Sequence, residues 1–229
     1  MRFMENKLYF TTQPVVVLDD YRQFKVGFYE LLLRDSTTNR FPGQAFFDAI
    51  SEENGNEEFL DFSEQQIREV LQQHDNSDIS INLETIQLGY ERTYRFLEDV
   101  KDIANHVILE ITEREYSGQD HALIQFIRYA KRQGFRILLD DVDTHKHINS
   151  CVMSRLGIDG VKFSHQMVQQ LPFQEVKQRL EQFQEEHQDD DVVMIVEGVN
   201  DQRQLEKLFD VGISYQQGFF FSPPNNLGR

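Results

Sequence analysis

The feature that most constrains this chain is a pattern in which a short apolar run closes on a polar residue and a longer amphipathic stretch follows. DISIN ends at Asn82, HVILE at Glu110, RILLD at Asp140 with Asp141 next, DGVK at Lys162, VVMIVE at Glu197, and ISYQQG at Gly218, just past Gln217. These runs are too short for helices and rich in β-branched or bulky residues, as expected of buried strands in a parallel sheet. Two earlier strand-like stretches lie around Leu8 to Leu18 and Phe24 to Leu33, the second carrying Glu30. The segments between runs have helical spacing: Phe59, Leu60, Phe62, Ile67 and Leu71 within 56–73, and Leu123, Ile124, Phe126, Ile127 and Ala130 within 120–133. Segments 174–188 and 201–209 read alike, and Gly134 and Gly212 stand where glycine ends a helix at positive φ.

Repeated βα units in 229 residues admit an open doubly wound sheet or a closed barrel. No Rossmann glycine fingerprint or phosphate-binding lysine loop supports the first. The polar run ends support the second, because a barrel gathers all its strand ends on one face. The expected fold is therefore α/β, a (β/α)8 TIM-like barrel in a single domain over residues 1–229. A hydrophobic content of 39% supplies the core, and a formal charge of −16 argues against nucleic-acid polymers and anionic membranes as partners. No apolar run approaches the roughly 20 residues of a membrane span. The single cysteine, Cys151, forms no intrachain disulfide and reads as a buried small residue, which suits a cytoplasmic protein.

Glu30, Asn82, Glu110, Asp140, Asp141, Lys162, Glu197 and Gln217 would meet at such a barrel's mouth. Carboxylates so crowded raise one another's pKa unless cations are present. Hard oxygen donors without cysteine select Mg²⁺, Mn²⁺ or Ca²⁺ over Zn²⁺, and the adjacent Asp140 and Asp141 suit a pair of ions. Two metals roughly 4 Å apart are a standard arrangement for attack on a phosphodiester. Taken singly, each acid could equally cap a helix. Lys162 could either neutralise the acids or orient and help deprotonate a water.

At these same residues the sequence resembles the EAL-domain phosphodiesterases, which hydrolyse cyclic di-GMP to linear pGpG. The resemblance rests on FYELLLR with Glu30 and Arg34, SINLE with Asn82, LEITE with Glu110 and Glu113, LLDDVDT with Asp140 and Asp141, VKFS with Lys162, VEGV with Glu197, and QQGFFFSPP with Gln217. It implies that Glu30, Asn82, Glu110 and Asp140 hold one divalent cation, Mg²⁺ or Mn²⁺, with Asp140 and Asp141 reaching a second. Glu197 would complete the metal and water shell. Lys162 and Gln217 would position the attacking water, Glu113 would brace the loop after Asp141, and Arg34 would contact a substrate phosphate. It also implies a homodimer and a stand-alone domain.

Departures from the family pattern accompany the match. The signature alanine is Leu31, which reads as a packing change. The family's Asp-Asp-Phe-Gly-Thr-Gly loop is here Asp140 to His145, with Asp143 and His145 in place of the glycines that reach positive φ freely. Ser164 replaces an acid. The expected activity is a metal-dependent cyclic di-GMP phosphodiesterase. The alternative is a weak or inactive EAL-like domain serving as a cyclic di-GMP receptor or protein-interaction module. His145, Lys146 and His147 read as a polar loop before a helix near Ile148, and Glu185 to Asp191 as a solvated helix end.

Overall fold

The computed structural model describes residues 8–73, 77–112, 121–142, 155–189 and 191–226. Eight strands close a barrel: β1 (Leu8–Leu18), β2 (Phe24–Asp35), β3 (Ile79–Glu84), β4 (Val107–Thr112), β5 (Arg136–Asp140), β6 (Gly160–Phe163), β7 (Val193–Val196) and β8 (Tyr215–Gln217). They follow chain order, with β1 bonded to both β2 and β8, and a short β9 (Asn225–Asn226) pairs with the open part of β1. From β2 to β8 every neighbouring pair is parallel. The outer layer includes α1 (Gln44–Ile50), α2 (Glu53–Gln73), α3 (Glu91–Asp99), α4 (His121–Arg132), α5 (His165–Gln170), α6 (Phe173–Glu186) and α7 (Gln202–Asp210). Short 3₁₀ helices at Thr85–Gly89 and Lys101–His106 flank α3.

The barrel expected from the sequence is present, with one strand reversed. β1 runs antiparallel to both neighbours and turns into β2 through a tight hairpin, with no helix between them. Its early residues therefore reach the rim where the other strands end, and Gln13 lies opposite Glu30. The segment pattern otherwise holds: α2, α4, α6 and α7 occupy the four amphipathic stretches, and Gly134 and Gly212 take φ of 95° and 88°. β3 and β4 continue two residues past Asn82 and Glu110. At Glu185–Asp191 the described residues are not all solvated, since His187 is buried and stacks on Phe183 with ring centroids 4.3 Å apart. Leu31 is buried in β2, as a packing role requires. The sequence readings made for 143–154, including the two histidines and Cys151, fall outside the described residues.

Because side chains alternate along a strand, residues two apart share a face. Val15, Phe28, Ile108, Leu138 and Ile195 form a separate apolar cluster. Each stands two residues below a polar rim residue, Gln13 on the reversed β1 and Glu30, Glu110, Asp140 and Glu197 on the others. The larger core lies between barrel and helices and includes Phe96, Phe126 and Phe135.

β6 places Gly160 two residues before Lys162. A Cβ there would lie 2.7 Å from Leu138 Cδ2 and 2.8 Å from the Val193 carbonyl oxygen, and the latter is backbone that cannot rotate away. Gly160→Ala is therefore expected to destabilise the protein by about 1–3 kcal/mol in urea unfolding. Gly89→Ala, with nothing within 4 Å of the added carbon, should change stability by less than about 0.5 kcal/mol.

Candidate active site at the barrel mouth

Lys162 is the centre of the site. Its side chain has no exposed surface, and its Nζ lies 2.7 Å from Glu110 Oε2, 2.7 Å from Glu197 Oε1, 3.0 Å from Glu30 Oε2 and 3.8 Å from Asp140 Oδ1. Four strands thus aim their carboxylates at the side chain of a fifth. Gln217 Nε2 donates to Glu30 Oε2 at 2.7 Å and to Gln13 Oε1 at 3.3 Å, while Asn82 Nδ2 donates to Glu30 Oε1 at 2.9 Å. Both Glu30 oxygens are therefore fixed by donors.

The electrostatics follow from burial opposed by the Lys162 ammonium. For Lys162, burial disfavours the ammonium, but the charges of Glu110, Glu197, Glu30 and Asp140 outweigh it and hold its pKa well above the usual value. For Glu30, burial acts upward, but the Lys162 charge and the bonds from Gln217, Asn82 and Lys162 leave its carboxyl lowered. Burial and then the charge of Glu30 push Glu110 up to about 7. Asp140 is raised well above its ordinary value by burial, with Lys162 opposing and Glu197 and Glu110 adding repulsion. Burial also raises Glu197 against the pull of Lys162. One ammonium does not keep this set fully ionised.

The described residues fit divalent cations. Asp140, Asp141 and Glu197 each offer a carboxylate oxygen, and these atoms all lie within 4.8 Å of one another. Buried Glu110 Oε1 and Asp140 Oδ1 have no hydrogen-bond partner among the described residues, an expensive state for oxygens that coordinate nothing. Asp141 adopts φ 56°, a left-handed conformation that costs a non-glycine residue energy and is held at a site of this kind.

The sequence-predicted residues come together apart from two. Arg34 is half-buried and lines the same cavity of about 600 Å³, where its Nη1 donates to the Leu33 carbonyl at 2.9 Å rather than to the acids. Glu113 lies outside the described residues. Ser164, in place of an acid, is buried and caps α5 by accepting from the Met167 N–H at 3.3 Å. Sequence reasoning missed Gln13, Glu84 and Thr112 in the cavity wall, the last donating its hydroxyl to Glu84 Oε2 at 2.8 Å. A polar residue near the start of the first strand becomes a rim residue only when that strand runs backwards. Glu84 and Thr112 repeat the period of two beyond Asn82 and Glu110 and were legible on that ground.

An eight-stranded barrel with an acidic, lysine-centred pocket at its strand ends has the layout of a barrel enzyme, whose chemistry sits on that face. The chain belongs to the EAL domain family, which it matches over residues 2–224. The probable cyclic di-GMP phosphodiesterase PdeB of Escherichia coli (strain K12) is 29% identical over 159 residues, 66% of this chain and 29% of PdeB. The chain therefore corresponds to under a third of that relative. Among solved structures, the PaMucR phosphodiesterase in complex with c-di-GMP has a TM-score of 0.80 at 21% identity, covering 96% of this chain and 97% of that one. Klebsiella pneumoniae BlrP1, in a calcium/cy-diGMP complex, has a TM-score of 0.79 at 20% identity, covering 98% of this chain and 57% of that one. Its manganese/cy-diGMP complex has a TM-score of 0.78 at 18% identity, covering 98% and 58%. Among the described residues no helix is long and apolar enough to cross a membrane.

The raised carboxyls set a sign for pH dependence without metal. A group whose folded pKa is raised contributes stability fully below its unfolded value and loses it as pH climbs through the folded one. For Glu110 that window runs from 4.5 to about 7. In EDTA, urea unfolding should show wild type losing stability from pH 5 to 8 and Glu110→Gln losing measurably less. Equal slopes would contradict the assignment.

Proposed function

We propose that this chain hydrolyses cyclic di-GMP to linear pGpG, using water activated at a site for two divalent cations, Mg²⁺ or Mn²⁺. The observation that carries this reading is the convergence of Glu30, Glu110, Asp140 and Glu197 on Lys162, with Asn82 and Gln217 bonded to the same cluster. Family membership supports cyclic di-GMP as the substrate. Glu30, Asn82, Glu110 and Asp140 would hold one ion, and Asp140 with Asp141 the second. When bound, the ions lower the pKa of water and neutralise charge on the phosphoryl oxygens.

The chain's own residues do the rest. Lys162, whose pKa the surrounding carboxylates hold well above its usual value, keeps Glu30, Glu110 and Glu197 within 3.0 Å of its ammonium and so positions them. Gln217 is anchored through its nitrogen on Glu30, and its buried Oε1 has no hydrogen-bond partner among the described residues. That oxygen is suited to accept a hydrogen bond from the attacking water and orient it. Glu197, less enclosed than Glu110 at 20% side-chain exposure against none, is placed to share the same water. Arg34 supplies a fixed positive charge for a substrate phosphate, and Glu113 would brace the loop beyond Asp141. We expect a homodimer on the family resemblance, and a cytosolic setting that suits the single cysteine.

One observation favours a second reading, binding without turnover. Asp141, at φ 56°, leads into the loop where Asp143 and His145 replace the family's glycines, and strain there bears directly on a proposed ligand.

A product assay with cyclic di-GMP in Mg²⁺ and then Mn²⁺ separates the two. Turnover to pGpG is expected, with Glu30→Ala reducing kcat by at least about 10²-fold, the scale of losing an electrostatic contributor in a closed site. Tight binding with no pGpG selects the receptor reading. No difference between Glu30→Ala and wild type would sink the enzyme. Affinity should also fall in excess EDTA, because without cations the acidic mouth opposes a dianion, and undiminished affinity would count against the metal site.

A further inference from the structure

The cavity has an apolar half that the proposed chemistry does not use. Phe219 and Phe41 both leave large side chains exposed in the cavity wall, at 67% and 42%, and Phe41 is set on a buried aromatic footing. The ring is rigidly founded: its centroid lies 5.5 Å from that of Phe46 and 5.4 Å from that of Phe47, and Phe46 in turn packs at 5.0 Å on Phe59. Phe46 and Phe59 are buried at 5% and 2% exposure.

The turn before Phe41 fixes where it stands. Asp35 Oδ1 accepts from the Thr37 and Thr38 N–H groups at 2.8 and 3.0 Å. The Asp35 N–H donates to the Arg40 carbonyl at 2.8 Å, closing residues 35–40 into a loop. Asn39 takes φ 56° inside that loop, and its Oδ1 accepts from the Tyr9 hydroxyl at 2.8 Å. Closing 35 onto 40 brings the flanking residues, Arg34 and Phe41, to the same side of the turn, and both line the cavity.

We infer that Phe41 is the stacking platform for one base of the cyclic dinucleotide, an inference that rests on reading this cavity as a cyclic di-GMP site. A cation and an exposed aromatic ring lining one cavity match the two parts of a nucleotide: the phosphate takes the guanidinium and the π-face of the base takes the ring. Stacking on an aromatic side chain stabilises a bound base enough to change affinity about tenfold. A preformed turn and a buried aromatic footing mean that little ordering is required of Phe41 on binding. The position determines affinity, because stacking tolerates any base.

The test uses the whole chain with cyclic di-GMP in Ca²⁺, followed by calorimetry for wild type, Phe41→Leu and Phe41→Trp. Phe41→Leu keeps an apolar contact for Phe46 and Phe47 but removes the ring, and should weaken binding about tenfold. In turnover assays it should raise KM far more than it lowers kcat. Phe41→Trp should bind within about threefold of wild type. The sequence contains no tryptophan, so this variant carries a single indole, whose emission should be quenched as ligand saturates. Leucine binding as tightly as phenylalanine, or indole emission unchanged at saturation, would overturn the role of Phe41 and leave the site reading intact. Wild type with a normal melting transition and no binding would instead overturn the cyclic dinucleotide reading, and Phe41's role with it.

Discussion

The site depends on one buried charge. An ammonium with no exposed surface, at the centre of a barrel, is tolerable only when paired and hydrogen-bonded, and Lys162 meets that requirement with carboxylates from four other strands. The converse also holds, since the acids need a cation. The apolar layer of Val15, Phe28, Ile108, Leu138 and Ile195 beneath the cluster screens poorly, so attraction and repulsion are both strong there. Lys162 satisfies Glu30 well enough to lower its pKa, while Glu110, Asp140 and Glu197 remain raised. The site is thus short of positive charge, a shortage that the proposed divalent cations would relieve.

The same arithmetic reconciles a formal charge of −16 with the proposed anionic substrate. Exterior acids keep the surface solvated, whereas the mouth changes sign only where cations, Lys162 and Arg34 are combined. On the proposed function, phosphate attraction would be conditional on metal, which would make metal supply a natural point of control. The left-handed Asp141 stands where that control would be felt, because its backbone conformation is costly away from the constraints of the site.

Much of this was legible in the sequence. Short buried strands leave an almost continuous apolar signal, here ending on or near a polar residue, and a barrel gathers its strand ends on one face. Glu30, Glu110, Asp140 and Glu197 could therefore be assigned to one rim before any coordinates. The reversed β1 was not legible, because strand direction depends on pairing partners and the Leu8–Leu18 run carries no mark of its direction. Gln13 was lost with it. Helices α1 and α5 span only 7 and 6 residues, too few turns for the spacing argument that found α2 and α4. The left-handed conformation at Asp141 was unanticipated, since the sequence directed attention to the absent glycines at 143 and 145. Ser164 looked like the loss of an acid, whereas its hydroxyl caps a helix that only the fold reveals.

The central claim is that the carboxylates around Lys162 form a divalent metal site. Anomalous diffraction at a manganese-sensitive wavelength from crystals grown in Mn²⁺ tests it directly. The account predicts two peaks at the barrel mouth, one contacted by Glu30, Asn82, Glu110 and Asp140 and the other by Asp140 and Asp141. A mouth without a peak, in crystals where Lys162 still bridges Glu30, Glu110 and Glu197, would contradict it.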